Sequence, residues 1–403
     1  MDFNELLENP ELLQAIVESG YTDPTPIQQQ AIPVILEGKD MLASAQTGTG
    51  KTAAFMLPSL QKISKPSQVK ARGPRILILV PTRELAMQVA HEAAKYSKHL
   101  KMVKTVCIYG GAPYPVQNKQ LSSHYEILVA TPGRLIDHIE RGRISFDRLE
   151  LLILDEADRM LDMGFVDDVH DIAAQTPKNR QTLMFSATLK GNVLGLSKAL
   201  LNNPVTITIA PQTAKHENIE QRLHNVDNLD HKYRLLDHLL NDEGMNQAVV
   251  FTSTKSQADV LVDKLIQQGH NAAALHGDMR QHQRTRTITK LRQGKIRILV
   301  ATDVAARGID VQTISHVINF DLPMNVEDYV HRIGRTGRAG SSGIALSFAA
   351  AKDMGIVGQI ERFTGQKITS HLIPGFEPKF ADRFTKASIP TRRYSRPKRR
   401  FAR

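Results

Sequence analysis

The sequence is poor in cysteine and has no long apolar run, and each absence excludes a class of protein. Its 403 residues include one cysteine, Cys107, which excludes an intramolecular disulfide framework. The longest apolar stretches, such as Arg75–Val80, have the length of a strand and fall far short of a membrane span. The N-terminal residues 1–5 are acidic and lack the apolar core of a signal peptide. We therefore predict a cytoplasmic protein without membrane segments.

The sequence also lacks a cluster of cysteine and histidine with the spacing of a metal site. His276 and His331 have no such neighbours in the chain, so we do not expect either to be a metal ligand.

The net charge of +11 is concentrated at one end of the chain. Residues 379–403 contain ten Lys or Arg and one Asp, a local charge of +9, so 11 − 9 leaves about +2 for the rest. Such a basic segment is typical of a phosphate binder that ignores base sequence, although it could also serve only as a solubilising tail. We expect residues 373–403 to form a basic, disordered tail.

Strand-sized apolar runs alternate with amphipathic helical stretches along most of the chain. The predicted strands of the first half are Met41–Ala45, Ile76–Val80, Val106–Tyr109, Ile127–Ala130, Leu151–Leu154 and Thr182–Phe185. Those of the second half are Ala248–Phe251, Ala272–Leu275, Ile296–Ala301, His316–Phe320 and Ile344–Phe348. Continuous apolar strands that alternate with helices predict an α/β fold whose parallel sheets are covered by helices.

The interval Thr206–Gln221 interrupts this alternation, because its centre is polar and has no apolar period. We interpret it as the linker between two α/β domains. The predicted division is a first domain at 1–207, a linker at 208–218, a second domain at 219–372 and the tail at 373–403.

A phosphate-binding loop follows the first predicted strand. Residues 45–52 read Ala-Gln-Thr-Gly-Thr-Gly-Lys-Thr, which is the phosphate-loop pattern with Ala45 in place of its first glycine. Its glycines allow backbone N–H groups to approach phosphates, and the following helix N-terminus favours negative charge. Lys51 is predicted to pair with the β- and γ-phosphates, and Thr52 to be a ligand of Mg²⁺.

Two further clusters have the chemistry of phosphoryl transfer. Asp155 and Glu156 follow the strand Leu151–Leu154, where one carboxylate could hold Mg²⁺ through water and the next could polarise the attacking water. Taken alone, such an acidic run is more often a solvated turn. Arg332, Arg335 and Arg338 recur at three-residue spacing and could be arginine fingers or a solvated basic face.

At this point the sequence resembles the DEAD-box ATP-dependent RNA helicases. Residues 155–158 read Asp-Glu-Ala-Asp, the signature that names the family, and the other family motifs occur in order between about Phe3 and Phe376. They are Gly20–Gln28, Pro81–Leu85, Gly110-Gly111, Thr131–Arg134, Ser186–Thr188, Gln281–Arg284, Ala301–Asp303, Arg307–Asp310 and His331–Arg338. The resemblance implies two tandem RecA-like domains followed by the short basic tail.

The resemblance also implies roles for individual residues. It implies catalysis by Lys51, Asp155, Glu156, Arg335 and Arg338, with Mg²⁺ at Thr52 and Asp155. It implies ATP binding by Phe3, Tyr21, Gln28, Gln46, Thr47, Gly48, Thr49, Gly50, Lys51, Thr52, Gly308 and Asp310. It implies contacts with the RNA backbone by Arg83, Gly111, Thr131, Arg134, Gly277, Arg284 and Thr302. Coupling of hydrolysis to unwinding is implied for Ser186, Thr188 and His331.

Together, these roles imply that the protein is an RNA helicase that uses ATP and Mg²⁺ and separates short duplexes locally. The residues 373–378 and the tail resemble the bacterial RhlE-type branch, with the SrmB-type branch second. Two alternatives remain, an ATP-gated RNA clamp or annealing chaperone and a DNA translocase of the same superfamily. We expect a monomer whose partners are RNA and possible ribosomal precursor particles or RNA-turnover enzymes. The motif Val249–Thr254 departs from the family's frequent Cys-Asn pair, which leaves its RNA contacts open.

Overall fold

The structure is a computed structural model, and it describes residues 2–45, 49–67, 69–189, 191–209, 218–242, 244–306, 311, 313–337 and 342–379. The chain divides into two compact units, one built mainly from its N-terminal half and the other mainly from its C-terminal half. Each unit has its own parallel sheet, so the units are described one after the other.

The first unit is built on a seven-stranded parallel sheet in the order β3-β4-β2-β5-β6-β1-β7. Its strands are β1 Met41–Ser44, β2 Ile76–Leu79, β3 Thr105–Ile108, β4 Ile127–Ala130, β5 Leu151–Leu154, β6 Gln181–Ser186 and β7 Val205–Thr208. Its helices are α1 Phe3–Leu6, α2 Pro10–Glu18, α3 Pro26–Leu36, α4 Lys51–Ile63, α5 Arg83–Tyr96, α6 Tyr114–Leu121, α7 Pro132–Glu140, α8 Ala157–Asp162, α9 Val166–Ala174 and α10 Asn192–Leu200.

Continuous apolar strands place alternate side chains in two cores, one on each face of this sheet. In β2, Ile76 and Ile78 belong to the core that contains α4 and α5, whereas Leu77 and Leu79 belong to the core that contains α8 and α9. All four side chains are 1% exposed or less. Burial on both faces explains why these strands carry uninterrupted apolar residues, as expected for a parallel sheet.

The second unit is built on another seven-stranded parallel sheet, in the order β10-β11-β9-β12-β13-β8-β14. Its strands are β8 Ile219–Asn225, β9 Ala248–Phe251, β10 Ala272–Leu275, β11 Ile298–Ala301, β12 His316–Asn319, β13 Gly343–Ala349 and β14 Thr369–Ser370. Its helices are α11 Leu229–Leu240, α12 Lys255–Gln267, α13 Gln281–Arg292, α14 Asp303–Ala306, α15 Val326–Ile333 and α16 Met354–Thr364, with a 3-10 turn at Ala351–Asp353.

The predicted fold class is confirmed, but two strands lie where the sequence suggested a linker. β7 pairs with β1 in parallel, and β8 pairs with β13 over its whole length. Polar residues interrupt both strands, and several of their side chains are partly or fully exposed, so neither has the continuous apolar run of a central strand. Thr208, placed in the predicted linker 208–218, is the last residue of β7. Residues 210–217 lie outside the described part of the chain, so the domain boundaries stay a prediction.

The predicted start of the disordered tail at residue 373 is wrong, because the first residues of that segment pack on the second unit. Ile373 and Phe376 contact its apolar core, and the Phe376 ring stacks on His238 of α11 at 4.7 Å between centroids. The Phe376 carbonyl oxygen lies 3.0 Å from His231 Nε2, and the Lys379 N–H donates to Asp227 at 2.8 Å. The rest of the predicted tail, 380–403, lies outside the described residues.

Among the helices that the structure describes, none combines the length and the apolar character that a membrane crossing requires.

Candidate nucleotide and RNA sites

The phosphate-binding loop leaves the carboxyl end of β1 and enters α4. Gly50 has a φ of 87°, and a Cβ on it would lie 2.6 Å from Gln28 Nε2. Only glycine fits both the left-handed backbone and this close approach. Lys51 begins α4 and its side chain is 6% exposed. The predicted members Gln46, Thr47 and Gly48 lie outside the described residues, whereas Thr49 and Thr52 are described.

Gln28 connects the start of α3 to this loop. Its Oε1 accepts a hydrogen bond from the Thr25 N–H at 2.9 Å, and its Nε2 donates to the Gly50 carbonyl at 3.2 Å. The side chain is 1% exposed, so both ends of the amide are fixed inside the protein. This arrangement brings the predicted adenine-reading residue directly to the loop.

The two predicted aromatic members of the nucleotide site pack elsewhere in the first unit. Phe3 is buried in the core on the α4 and α5 face of the sheet. The Tyr21 hydroxyl lies 3.0 Å from the Tyr96 hydroxyl, and Lys95 Nζ lies 5.3 Å from the centre of the Tyr21 ring. Tyr21 therefore contacts α5, and nucleotide contacts by Phe3 and Tyr21 stay a prediction.

The acidic motif begins where β5 ends. Asp155 is 3% exposed, and its Oδ1 accepts a hydrogen bond from the Glu156 N–H at 2.9 Å. Burial raises the pKa of the Asp155 carboxyl to about 6, against the attraction of Lys51 and with a further increase from Glu156. Glu156 has a φ of 54°, which is rare for a residue with a side chain and marks a constrained backbone. A desolvated carboxylate therefore lies close to the loop lysine.

The fourth residue after β5, Asp158, connects this motif to the end of β6. Asp158 accepts a hydrogen bond from the Ala187 N–H at 3.1 Å, and burial raises the pKa of its carboxyl. Ser186 donates its hydroxyl to the Thr188 carbonyl at 2.7 Å and accepts from the Thr188 N–H at 3.2 Å. The predicted coupling motif is thus a tight turn, fixed by its own serine and held by Asp158.

One residue of this motif region was missed in the sequence. Arg159 is buried, at 2% exposed, and its Nη1 lies 3.2 Å from Glu156 Oε2. The guanidinium therefore orients the carboxylate that is predicted to polarise water. Arg159 lies in the first turn of α8, and Glu156 is the residue that directly precedes this helix.

The RNA motifs of the first unit converge on one turn, Gly110–Ala112. Gly111 has a φ of 88°, and a Cβ there would lie 2.5 Å from Arg83 Nη1. On the other side of the turn, Arg134 Nη1 donates to the Ala112 carbonyl at 2.8 Å. Thr131 directly precedes α7 and is buried. The structure thus brings together the RNA-contacting residues predicted for this unit.

In the second unit, Arg332 is the first of the three regularly spaced arginines, and it is buried in an ion pair. Arg332 is 3% exposed, and its guanidinium pairs with both carboxylate oxygens of Asp303, with the second contact at 2.7 Å. It also donates to Asn319 Oδ1 at 3.1 Å and lies 4.9 Å from the centre of the Phe251 ring. Arg332 is therefore held inside its own unit, so it is not available as an arginine finger.

The remaining predicted residues lie on several elements. His331 is on α15, and Arg335 Nε donates to the His331 carbonyl at 3.1 Å. Thr302 directly precedes α14, and Gly277 follows β10 with Lys255 nearby. Arg284 is on α13, in the segment Arg280–Thr285 that belongs to the first compact unit. Arg338, Gly308 and Asp310 lie outside the described residues. Within the described residues, no group of three His, Cys, Asp or Glu side chains has the geometry of a metal site.

Comparison with known proteins decides the family. The DEAD/DEAH box helicase family matches residues 25–196, and the helicase conserved C-terminal domain matches residues 231–340. The ATP-dependent RNA helicase DeaD of Mycobacterium tuberculosis is 46% identical over 392 residues, which cover 96% of this chain and 68% of that protein. This chain belongs to the DEAD-box family of ATP-dependent RNA helicases.

Other relatives agree with this assignment. The ATP-dependent RNA helicase SrmB of Escherichia coli is 43% identical over 94% of this helicase and 85% of its own length. The structure of S. cerevisiae Dbp5 bound to RNA and ADP BeF3 has a TM-score of 0.84 and 32% identity, and covers 94% of this chain and 97% of that chain. The structure of Mss116p bound to ssRNA and AMP-PNP has a TM-score of 0.82 and 30% identity, and the match covers 92% of this chain and 78% of that chain. The predicted family is confirmed, whereas the RhlE-type branch stays a prediction.

Proposed function

We propose that the helicase binds ATP at the junction of β1, α3 and α4. Gln28 would read the adenine edge, and Lys51 would pair with the phosphates. The observation that carries this proposal is the convergence of three motifs distant in sequence, since Gln28 bonds to the loop at Gly50 and Lys51 acts electrostatically on Asp155. In parallel α/β sheets, ligands bind beyond the carboxyl ends of the strands, and β1 and β5 both end here.

The residues at this edge suit Mg²⁺. Asp155 offers a buried carboxylate and Thr52 a hydroxyl, which are the hard oxygen donors that this ion prefers. The pKa of Asp155 is raised by burial, so a nearby cation would stabilise the charged form that burial penalises. When bound, Mg²⁺ would neutralise developing phosphate charge. Asp155 and Thr52 would hold it, partly through water.

Hydrolysis needs a group that polarises the attacking water, and we assign this role to Glu156. Its carboxylate follows β5 and is oriented by Arg159 at 3.2 Å. Arg335 and Arg338 of the second unit would stabilise charge on the γ-phosphate, a contribution of about 10³ to 10⁵ in rate for such arginines. Arg332 would instead brace their segment through Asp303.

RNA would be gripped by its sugar–phosphate backbone. The contacts would come from Arg83, Gly111, Thr131, Arg134, Gly277, Arg284 and Thr302. Backbone contacts carry no base code, so binding in the core would ignore sequence. Grip on one strand would open a few base pairs locally, and hydrolysis would release it. Ser186, Thr188 and His331 would couple the two events.

The substitution Glu156→Gln tests the catalytic part of this proposal. We expect retained ATP binding and an RNA-stimulated ATPase rate lowered by about 10²-fold or more, because a neutral amide polarises water poorly. The matched control is Glu8→Gln, which changes an exposed carboxylate of the same unit. Binding of a fluorescent ATP analogue would be measured beside turnover. Unchanged turnover in the variant would refute the role of Glu156.

Strand displacement on a short RNA duplex tests the mechanical part. We expect ATP-dependent separation of the duplex. We also expect unlabelled RNA to compete for the helicase better than DNA of the same sequence. Annealing without displacement would favour an RNA clamp or chaperone, and equal competition by DNA would favour a DNA translocase. In the cell we propose a cytoplasmic monomer acting on ribosomal precursor particles or with RNA-turnover enzymes. Crosslinking in cells, followed by sequencing of the bound RNA, tests that setting.

A further inference from the structure

Helices α6 and α7 bring one aromatic ring and two arginines together beside the RNA motifs. Tyr114 is the first residue of α6, and its ring centre lies 4.2 Å from the Arg134 guanidinium carbon and 4.6 Å from that of Arg141. Both distances are well within the range of a cation–π contact, which extends to about 6 Å. The Tyr114 hydroxyl donates to Asp137 Oδ2 at 2.7 Å, which fixes the ring against α7.

The two guanidiniums differ in how much of their charge reaches solvent. The Arg134 side chain is 9% exposed, because its Nη1 donates to the Ala112 carbonyl and its Nε lies 3.5 Å from Asp137. Arg141, at the C-terminal end of α7, is exposed. Arg134 is therefore mostly buried by contacts within the protein, whereas Arg141 is exposed to solvent.

The surroundings of these arginines are predominantly positive. His138, buried behind them on α7, has a lowered pKa because of burial first and then Arg134, with Arg141 and Arg143 adding to the effect. Asp137 opposes the shift, and its carboxylate is already engaged by the Tyr114 hydroxyl. A planar guanidinium in such a field suits bidentate binding of phosphate.

This cluster is continuous with the proposed RNA surface, since Ala112 directly follows Gly111 in the same turn. We propose that Arg141 is a further contact for an RNA phosphate, and that Tyr114 is a positioning residue that holds Arg141 in place for it. The inference rests on the proposed RNA-backbone role of Arg134 and its neighbours. It adds one phosphate to the path along the first unit, beyond the family motifs.

The test is equilibrium binding of a fluorescent single-stranded uridine homopolymer to the full chain with a non-hydrolysable ATP analogue, across a salt series. We expect Arg141→Ala to weaken binding about fivefold and to make the log–log salt dependence shallower by about 0.7, the contribution of one phosphate. Tyr114→Ala should do the same, whereas Tyr114→Phe, which keeps the ring, should remain close to the unmodified protein. Arg143→Ala is the matched control, because it removes an exposed charge of the same helix end.

The outcomes separate this inference from the function on which it rests. The double variant Tyr114→Ala with Arg141→Ala should bind no more weakly than either single variant, since Tyr114 acts through Arg141. Equal losses of RNA affinity in Arg141→Ala and Arg143→Ala would overturn the inference, because they would indicate a general effect of positive charge and no specific phosphate contact. If Arg134→Ala weakens RNA binding and Arg141→Ala does not, the inference about Arg141 is also overturned, while the proposed RNA-binding role of Arg134 stands. Unchanged binding in Arg134→Ala, with loss in Arg141→Ala, would refute the proposed role of Arg134 alone.

Discussion

Replacing Asp155 with asparagine should stabilise the first unit in the absence of nucleotide and metal. The pKa of the buried carboxyl is raised from its ordinary value of 3.8 to about 6. The native state therefore binds the proton more tightly than the unfolded chain does. The stability contributed by this carboxyl is full below pH 3.8 and is lost as the pH rises through about 6. Asparagine mimics the protonated form at every pH.

The size of the effect follows from the two pKa values. The native state is penalised by about 3 kcal/mol at pH 8 and by about half as much at pH 5, relative to a protonated side chain. The free energy of unfolding of the variant should therefore exceed that of the unmodified protein by about 3 kcal/mol at pH 8, and this difference should fall to about half at pH 5. The hydrogen bond from the Glu156 N–H survives, because the asparagine Oδ1 also accepts it.

Peptide-resolved hydrogen exchange in urea with a chelator measures this difference unit by unit. Peptides that contain β5, Leu151–Leu154, report on the first sheet, and peptides that contain β9, Ala248–Phe251, are the internal reference. Asp23→Asn is the control variant, because it neutralises an exposed carboxylate of the same unit. A variant that is less stable than the unmodified protein at pH 8, or a difference that does not change with pH, would refute the reasoning.

Three further substitutions or truncations test other contacts. Gln28→Ala should reduce discrimination of ATP from GTP by about 1–3 kcal/mol, measured from the two nucleotide affinities; unaltered preference would place adenine recognition elsewhere. Arg332→Lys should destabilise the second unit by about 1–3 kcal/mol, because lysine cannot pair with both oxygens of Asp303; equal exchange protection of β9 peptides would contradict this. Ending the chain after Lys379 should retain the maximal ATPase rate, raise the RNA concentration needed for stimulation and flatten its salt dependence; identical salt series would show a solubilising tail.

The chemistry of the candidate sites could be predicted from the sequence because it resides in short motifs. The loop at Gly50–Thr52, the carboxylates after β5 and the arginines after β12 each occupy a few consecutive residues. Their order along alternating apolar and amphipathic segments was enough for the fold class. The central strands were also predictable within a residue or two, because burial on both faces requires a continuous apolar run.

Tertiary pairing decided the strands at one end of each sheet. β7 and β8 have polar residues on partly exposed faces and are strands because β1 and β13 offer them hydrogen-bonding partners. The residues after 373 read as the start of a tail, yet Phe376 packs against α11 because that helix presents His231 and His238 to it. No local period signals either contact.

The different uses of similar side chains were also decided by tertiary structure. Arg332 and Arg335 are equivalent in the sequence pattern, but only Arg332 meets Asp303, a residue 29 positions earlier in the chain. Arg141 and Tyr114 are 27 positions apart in the sequence (141 − 114), and the Arg141 guanidinium reaches the Tyr114 ring because the fold brings α6 beside the end of α7. The sequence by itself determined which chemical groups the helicase carries and in what order. Their burial, pairing and pKa depend on contacts between distant segments, which form only when the sheet brings the ends of its strands together.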